Sequence, residues 1–113
     1  MAGRYDFTIK QGSTFSMGID WKHGEEPVDL TGYTARMQIR YDNHNGGIAV
    51  DLTTENGGIE IDSVTNKILI YISAEQTSKI QAKQCVYDLE MVDGGFVERI
   101  IEGKVRISPE VTK

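Results

Sequence analysis

The feature that most constrains this chain is a two-residue alternation of apolar and polar side chains that recurs along nearly its whole length. Phe15, Met17, Ile19 and Trp21 alternate with Ser16, Gly18 and Asp20. Ala35, Met37, Ile39 and Tyr41 alternate with Thr34, Arg36, Gln38 and Arg40. Cys85, Tyr87, Leu89 and Met91 flank Asp88 and Glu90, and Ile101, Val105 and Ile107 flank Glu102, Lys104 and Arg106. Shorter runs repeat the theme at Phe7 and Ile9, at Ile48, Val50 and Leu52, at Ile59 and Ile61, and at Ile68, Ile70 and Ile72. Period two sends successive side chains to opposite faces of a sheet, so each run reads as a half-buried strand.

Turn chemistry separates these runs. Gln11-Gly12-Ser13, His23 to Pro27, Asp42 to Gly47, Asn56-Gly57-Gly58, Asn66-Lys67 and Asp93-Gly94-Gly95 all carry Gly or Asn, which tolerate the positive φ of tight hairpins. Seven or eight short strands at this spacing predict an all-β sandwich or barrel. With 113 residues the chain has room for one domain, spanning 1–113, since domains run to roughly 100–200 residues. The core expected from the alternation is Phe15, Met17, Ile19, Trp21, Met37, Ile39, Ile70, Tyr87, Leu89 and Val105.

One segment departs from the pattern. Ser73 to Ile80 has helical composition, and Ser73 with Gln76 fits a capping box. It is too short to stand alone and predicts a single helical turn bridging two sheets. The strand after it carries Tyr87. That placement resembles the corner of immunoglobulin-like sandwiches, where a Tyr hydroxyl bonds back to the preceding loop; the alternative is that Tyr87 is simply a core aromatic.

Charge and cysteine count narrow the partners. The net charge of −5 argues against a nucleic-acid partner, because phosphate attraction needs a positive face. The longest apolar run, Ile68 to Ile72, is far short of the roughly 20 residues of a spanning helix, so no membrane role is expected. The single cysteine, Cys85, leaves no intrachain disulfide and no Cys-rich zinc site. The start, Met1 to Asp6, has no apolar stretch of the signal-peptide kind. Synthesis in a reducing cytoplasm is the expectation.

Residues that carry chemistry are few and scattered. His23 and His44 fall in turns, and Cys85 falls at the inward phase of a strand. The Asp42–Gly47 loop resembles a calcium loop, yet His44 and Gly46 stand where oxygen ligands belong, so only weak binding through carbonyl groups remains open there. No catalytic, cofactor-binding or metal-ligating residues are assigned, no cofactor is expected, and the chain reads as a non-enzyme. Arg36, Gln38 and Arg40 form an outward polar stripe. It predicts either cross-strand ion pairs with Asp88 or Glu90 or a contact surface for an acidic partner. Tyr5, Tyr33 and Phe96, near strand ends, are the candidates for exposed aromatics, and Tyr33 and Phe96 join the stripe as candidate interface residues.

Several of these segments together resemble one family. They are Gln11-Gly12-Ser13-Thr14-Phe15, Trp21, Pro27 to Arg40 with its Asp29-Leu30-Thr31-Gly32-Tyr33 core, Val86 to Glu90, and Glu102 to Pro109. The pattern is similar to that of small immunoglobulin-like β-sandwich proteins in the structural-gene region of tailed bacteriophages and prophages. Those include the tail-collar type and the immunoglobulin-like N-terminal domain of some upper baseplate proteins. The resemblance implies an immunoglobulin-like sandwich of about seven or eight antiparallel strands. It implies a non-enzymatic virion component of the tail, neck or baseplate, made in the bacterial host cytoplasm. Such a component acts by self-association as a homo-oligomer or by docking to other phage structural proteins. The alternative function is a host-surface module binding glycan or protein, which substitution of Tyr33 and Trp21 would test and whose exposed aromatic candidates are Tyr5, Tyr33 and Phe96.

Overall fold

A computed structural model describes residues 3–42, 47–81 and 83–111. These residues hold eleven strands and one short helix. In chain order the strands are β1 (Gly3–Arg4), β2 (Phe7–Lys10), β3 (Phe15–Ile19), β4 (Lys22–His23), β5 (Glu26–Pro27), β6 (Thr34–Tyr41), β7 (Ile48–Thr53), β8 (Ile59–Asp62) and β9 (Lys67–Ile72). Helix α1 (Ala74–Ser78) follows, then β10 (Gln84–Asp93) and β11 (Phe96–Ser108). The chain is all-β, as the alternation predicts. Eight strands have four residues or more; β1, β4 and β5 have two each.

Pairing sorts them into a large sheet, a small one and a ribbon. The large sheet runs β7–β6–β10–β11, all antiparallel, and both β1 and β2 lie parallel along the far edge of β11. The small sheet is β3–β9–β8, and β4 pairs β5 around the Gly24-Glu25 turn. The inward residues of both sheets form one apolar cluster.

The N-terminal residues are part of the chain's own sheet. The Tyr5 amide donates to the Glu102 carbonyl at 3.0 Å, and the Gln11 amide to that of Ser108 at 2.9 Å. Between β1 and β2 the segment crosses directly over Gly103, where a Cβ would collide with the Tyr5 carbonyl and the Asp6 carboxylate. That carboxylate accepts the Lys104 amide at 2.8 Å. A glycine is needed there for close approach of a second backbone. At the other terminus the Glu110 amide donates to the Gln11 side chain at 3.0 Å.

Burial follows the alternation in phase. Trp21, Met37, Ile39, Ile70, Tyr87, Leu89 and Val105 are buried, as expected. Phe15, Met17 and Ile19 take the inward phase of β3 but reach only half-burial, packed against the cluster from its margin. Among the described residues their strand has a neighbour on one side only, β9, so the core covers them incompletely. Ile48 breaks its expected phase and is exposed. A bulge between Ile39 and Arg40 puts Ile48 opposite Arg40 while Val50 faces Ile39. One extra residue on β7 therefore turns Ile48 to the outer face.

The helical turn links the last strand of the small sheet to β10. The Ser73 hydroxyl accepts the Gln76 amide at 3.1 Å, and the Gln76 side chain accepts the Ser73 amide at 2.9 Å, completing the capping box. Buried Thr77 then ties α1 to the β2–β3 turn: its hydroxyl accepts from the Gly12 amide at 3.0 Å and donates to the Ser13 carbonyl at 2.9 Å. Ahead of β6, the Asp29 carboxylate accepts the Thr31 amide at 3.0 Å, and Gly32 takes φ +87° for the bend into Tyr33. That hydrogen bond holds the Asp29 carboxyl below its ordinary range.

Candidate functional site

The outer face of the large sheet carries a run of charged side chains, and register decides which groups meet there. Gln38 lies opposite Asp88 and Arg36 opposite Glu90. The Arg36 guanidinium pairs with the Glu90 carboxylate at 2.7 Å, the cross-strand pair the stripe predicts. The Arg40 guanidinium donates to the Gln38 side-chain carbonyl at 3.0 Å. Asp88 turns to the other neighbour, β11, where Arg99 bridges it at 3.3 Å and Glu102 at 3.3 Å. An open depression of about 410 Å³ lies over this region, lined by Arg36, Gln38, Asp51, Thr53, Asp88 and Glu90. These exposed pairs fix side-chain positions on the face; each adds about 0.2–1 kcal/mol.

The aromatic candidates lie elsewhere. Tyr33 is half-buried rather than exposed, its ring edge-on to Trp21 with centroids 5.3 Å apart. It keeps the inward phase of Ala35, Met37 and Ile39, a parity already visible in the sequence. Trp21 is buried at 7 % exposure, in the core as expected, and its ring takes up one edge of Tyr33. Phe96 is exposed at the β10–β11 turn, on the last row of the hairpin opposite Asp93. The structure thus gathers Arg36, Gln38 and Arg40 on one face and leaves Tyr33 and Phe96 outside it. Beside the expected Asp88 and Glu90 it adds Asp51, Arg99, Glu102 and Lys104, and register across the strands decides which of these groups meet.

The chemically reactive side chains are dispersed. Cys85 is fully buried, and burial with the nearby Asp42 carboxylate pushes its thiol up. A thiol in that state is a weak nucleophile. His23 is exposed on β4, 4.0 Å from the Glu98 carboxylate. His44 and most of the Asp42–Gly47 loop, including the calcium-loop positions, lie outside the described residues. No group of three His, Cys, Asp or Glu side chains placed to hold a metal occurs among the described residues. No helix among them is long and apolar enough to cross a membrane.

Tyr87 uses its hydroxyl. It donates to the Tyr5 carbonyl at 2.5 Å, while its ring meets Phe7 edge-on at 4.9 Å. The acceptor is the N-terminal segment, not the loop before its own strand. Burial, with Asp6 nearby, pushes the phenol up to about 12. The hydrogen bond ties the centre of the large sheet to the segment between β1 and β2.

Compared with known proteins, the chain matches no family model and no curated sequence.

Proposed function

We propose that this chain is an immunoglobulin-like β-sandwich that serves as a non-enzymatic structural component of a bacteriophage particle, at the tail, neck or baseplate. The observation that carries the fold is strand order. The sheet β3–β9–β8 and the sheet β11–β10–β6–β7 have the order of the B–E–D and G–F–C–C′ sheets of such sandwiches. The β1–β2 segment lies on the outer edge of β11, and one apolar cluster joins both layers. The motif Asp29-Leu30-Thr31-Gly32-Tyr33, on which the family resemblance leans, forms the capped bend that feeds β6.

The role follows from what the surface offers. Its chemistry is that of a contact surface: an ordered array of charged side chains on a broad sheet, with the one thiol buried and the described histidine exposed on the two-residue strand β4. A chain of this kind works by positioning itself against neighbours, through faces and strand edges that dock on copies of itself or on other virion proteins. The test is direct. Particles purified from the phage or prophage that encodes the chain contain it in many copies, and the isolated protein captures a tail, neck or baseplate protein of the same particle. A particle preparation free of the chain contradicts this reading.

A further inference from the structure

The charged groups of the large sheet are not evenly spread along its strands. In the middle rows they neutralise one another, through Arg36 with Glu90 and Arg99 with Asp88 and Glu102. Toward the end where β10 begins, the face turns basic. Arg40, Val86 and Lys104 stand abreast on three adjacent strands, and Arg106 and Lys10 occupy the following rows on β11 and β2. Lys10, Lys104 and Arg106 are exposed and make no ion pair among the described residues. Lys83 adds a further exposed cation just before β10. The carboxylates at this end are Asp42, which accepts from Gln84, and Glu110 beside Gly12; Asp6 is paired with Arg4.

The opposite end is acidic. The β4–β5 ribbon presents Glu25 and Glu26, and the β10–β11 turn presents Asp93. Asp29 and Asp62 belong to the same end: the Asn66 side chain in the turn after β8 donates to the Val28 carbonyl at 2.9 Å, and Trp21 packs on Tyr33. Lys22 is the unpaired cation there among the described residues, since Lys67 is taken by Asp20. From Val86 to Asp93 is seven residues of β10, about 23 Å at strand rise. That exceeds twice the Debye length of about 10 Å at 0.1 M salt, so the two ends do not neutralise each other within one copy.

We propose that the basic end of the outer sheet face, centred on Arg40, Lys104 and Arg106, docks the acidic β4–β5 end of a second copy of this chain. Charge complementarity selects the occupant: a face rich in cations on a chain of net charge −5 meets its opposite on the far end of the same molecule. The contact is head-to-tail. Each docked copy leaves one basic face and one acidic end open, so association continues until a ring closes or a filament grows.

The inference rests on the structural-component reading for its biological use, and the two fail separately. The experiment is sedimentation velocity on the full chain at about 0.02 M and about 0.5 M salt, which span strong and weak screening. The wild type is expected to form oligomers at low salt and monomers at high salt. The pair Lys104→Gln with Arg106→Gln, and separately Glu25→Gln with Glu26→Gln, weaken association by roughly tenfold or more. Circular dichroism checks that each variant keeps its β signal. Mixing the two variants is the decisive arm, because each retains the end the other lost. A one-to-one dimer that grows no further supports the head-to-tail contact. A wild type monomeric at low salt, variants that associate like wild type, or a basic face that retains a DNA oligonucleotide while the chain stays monomeric each overturn it. If the chain is monomeric yet present in purified particles, the structural role stands and the second copy is not its partner.

Discussion

Strands β10 and β3 carry the same kind of alternation and differ in what the fold makes of it. Along β10, Cys85, Tyr87, Leu89 and Met91 are buried and the residues between them are not. Along β3, Phe15, Met17 and Ile19 keep the inward phase but stop at half-burial. The difference is position in the sheet. β10 has β6 on one side and β11 on the other, whereas β3 pairs with β9 alone. Alternation sets which way a side chain points; the number of neighbouring strands sets how far water is excluded from it.

Truncation is the strongest way to break that comparison. Leu89→Ala removes a fully buried side chain at the centre of the large sheet and is expected to cost about 2–5 kcal/mol in urea unfolding. Met17→Ala removes a similar volume from the margin and is expected to cost about 1–2 kcal/mol. Equal costs would mean that β3 is covered as fully as β10.

A smaller effect comes from the segment laid over β11. Gly103→Ala sets a methyl group against the Tyr5 backbone and is expected to cost about 1–3 kcal/mol. Proteolysis should then cut the chain near its N-terminus before any other site. A variant as stable and as protease-resistant as wild type would show that residues 3–10 are not held as described.

Next in size is Tyr87→Phe, which deletes the hydrogen bond to the Tyr5 carbonyl at an expected cost of about 1 kcal/mol. The same group makes stability depend on alkaline pH. Its folded pKa, about 12, lies above the ordinary phenol value of 10.0. Its contribution is therefore whole below pH 10 and is lost as pH rises through 12. Denaturation midpoints should fall across that window in wild type and fall less in Tyr87→Phe. Identical slopes would place the hydroxyl in water.

The smallest effect belongs to the outer face. Gln38→Ala is expected within about 0.5 kcal/mol of wild type, because the face is open to solvent. A larger loss would mean that this face is covered in the isolated protein.

Much of this was legible in the residues, and the parts that were not share one cause. The strand phases of β6 and β10, the capped turn at Ser73 and the bend at Gly32 all depend on residues within a few positions of each other. The outward stripe was legible for the same reason, and Glu90 was an expected partner of Arg36. Ile48 was misplaced because a bulge adds one residue with no local signature. Tyr33 departs from the expected exposure because it shares the parity of Ala35 and Met37. The parallel seat of β1 and β2 on β11, the turn of Asp88 toward Arg99 and the gathering of Lys10, Lys104 and Arg106 at one end were not visible. Each requires knowing which strand lies beside which, and pairing choice is set by the whole core rather than by any one segment.

Native-state hydrogen exchange tests the central claim most directly, because it reads every strand in one experiment. Amides of β10 from Cys85 to Met91 are expected among the slowest, exchanging only when the whole chain unfolds. Those of β3 on the side away from β9 should exchange far sooner. Protection as strong along both sides of β3 as along β10 would contradict it.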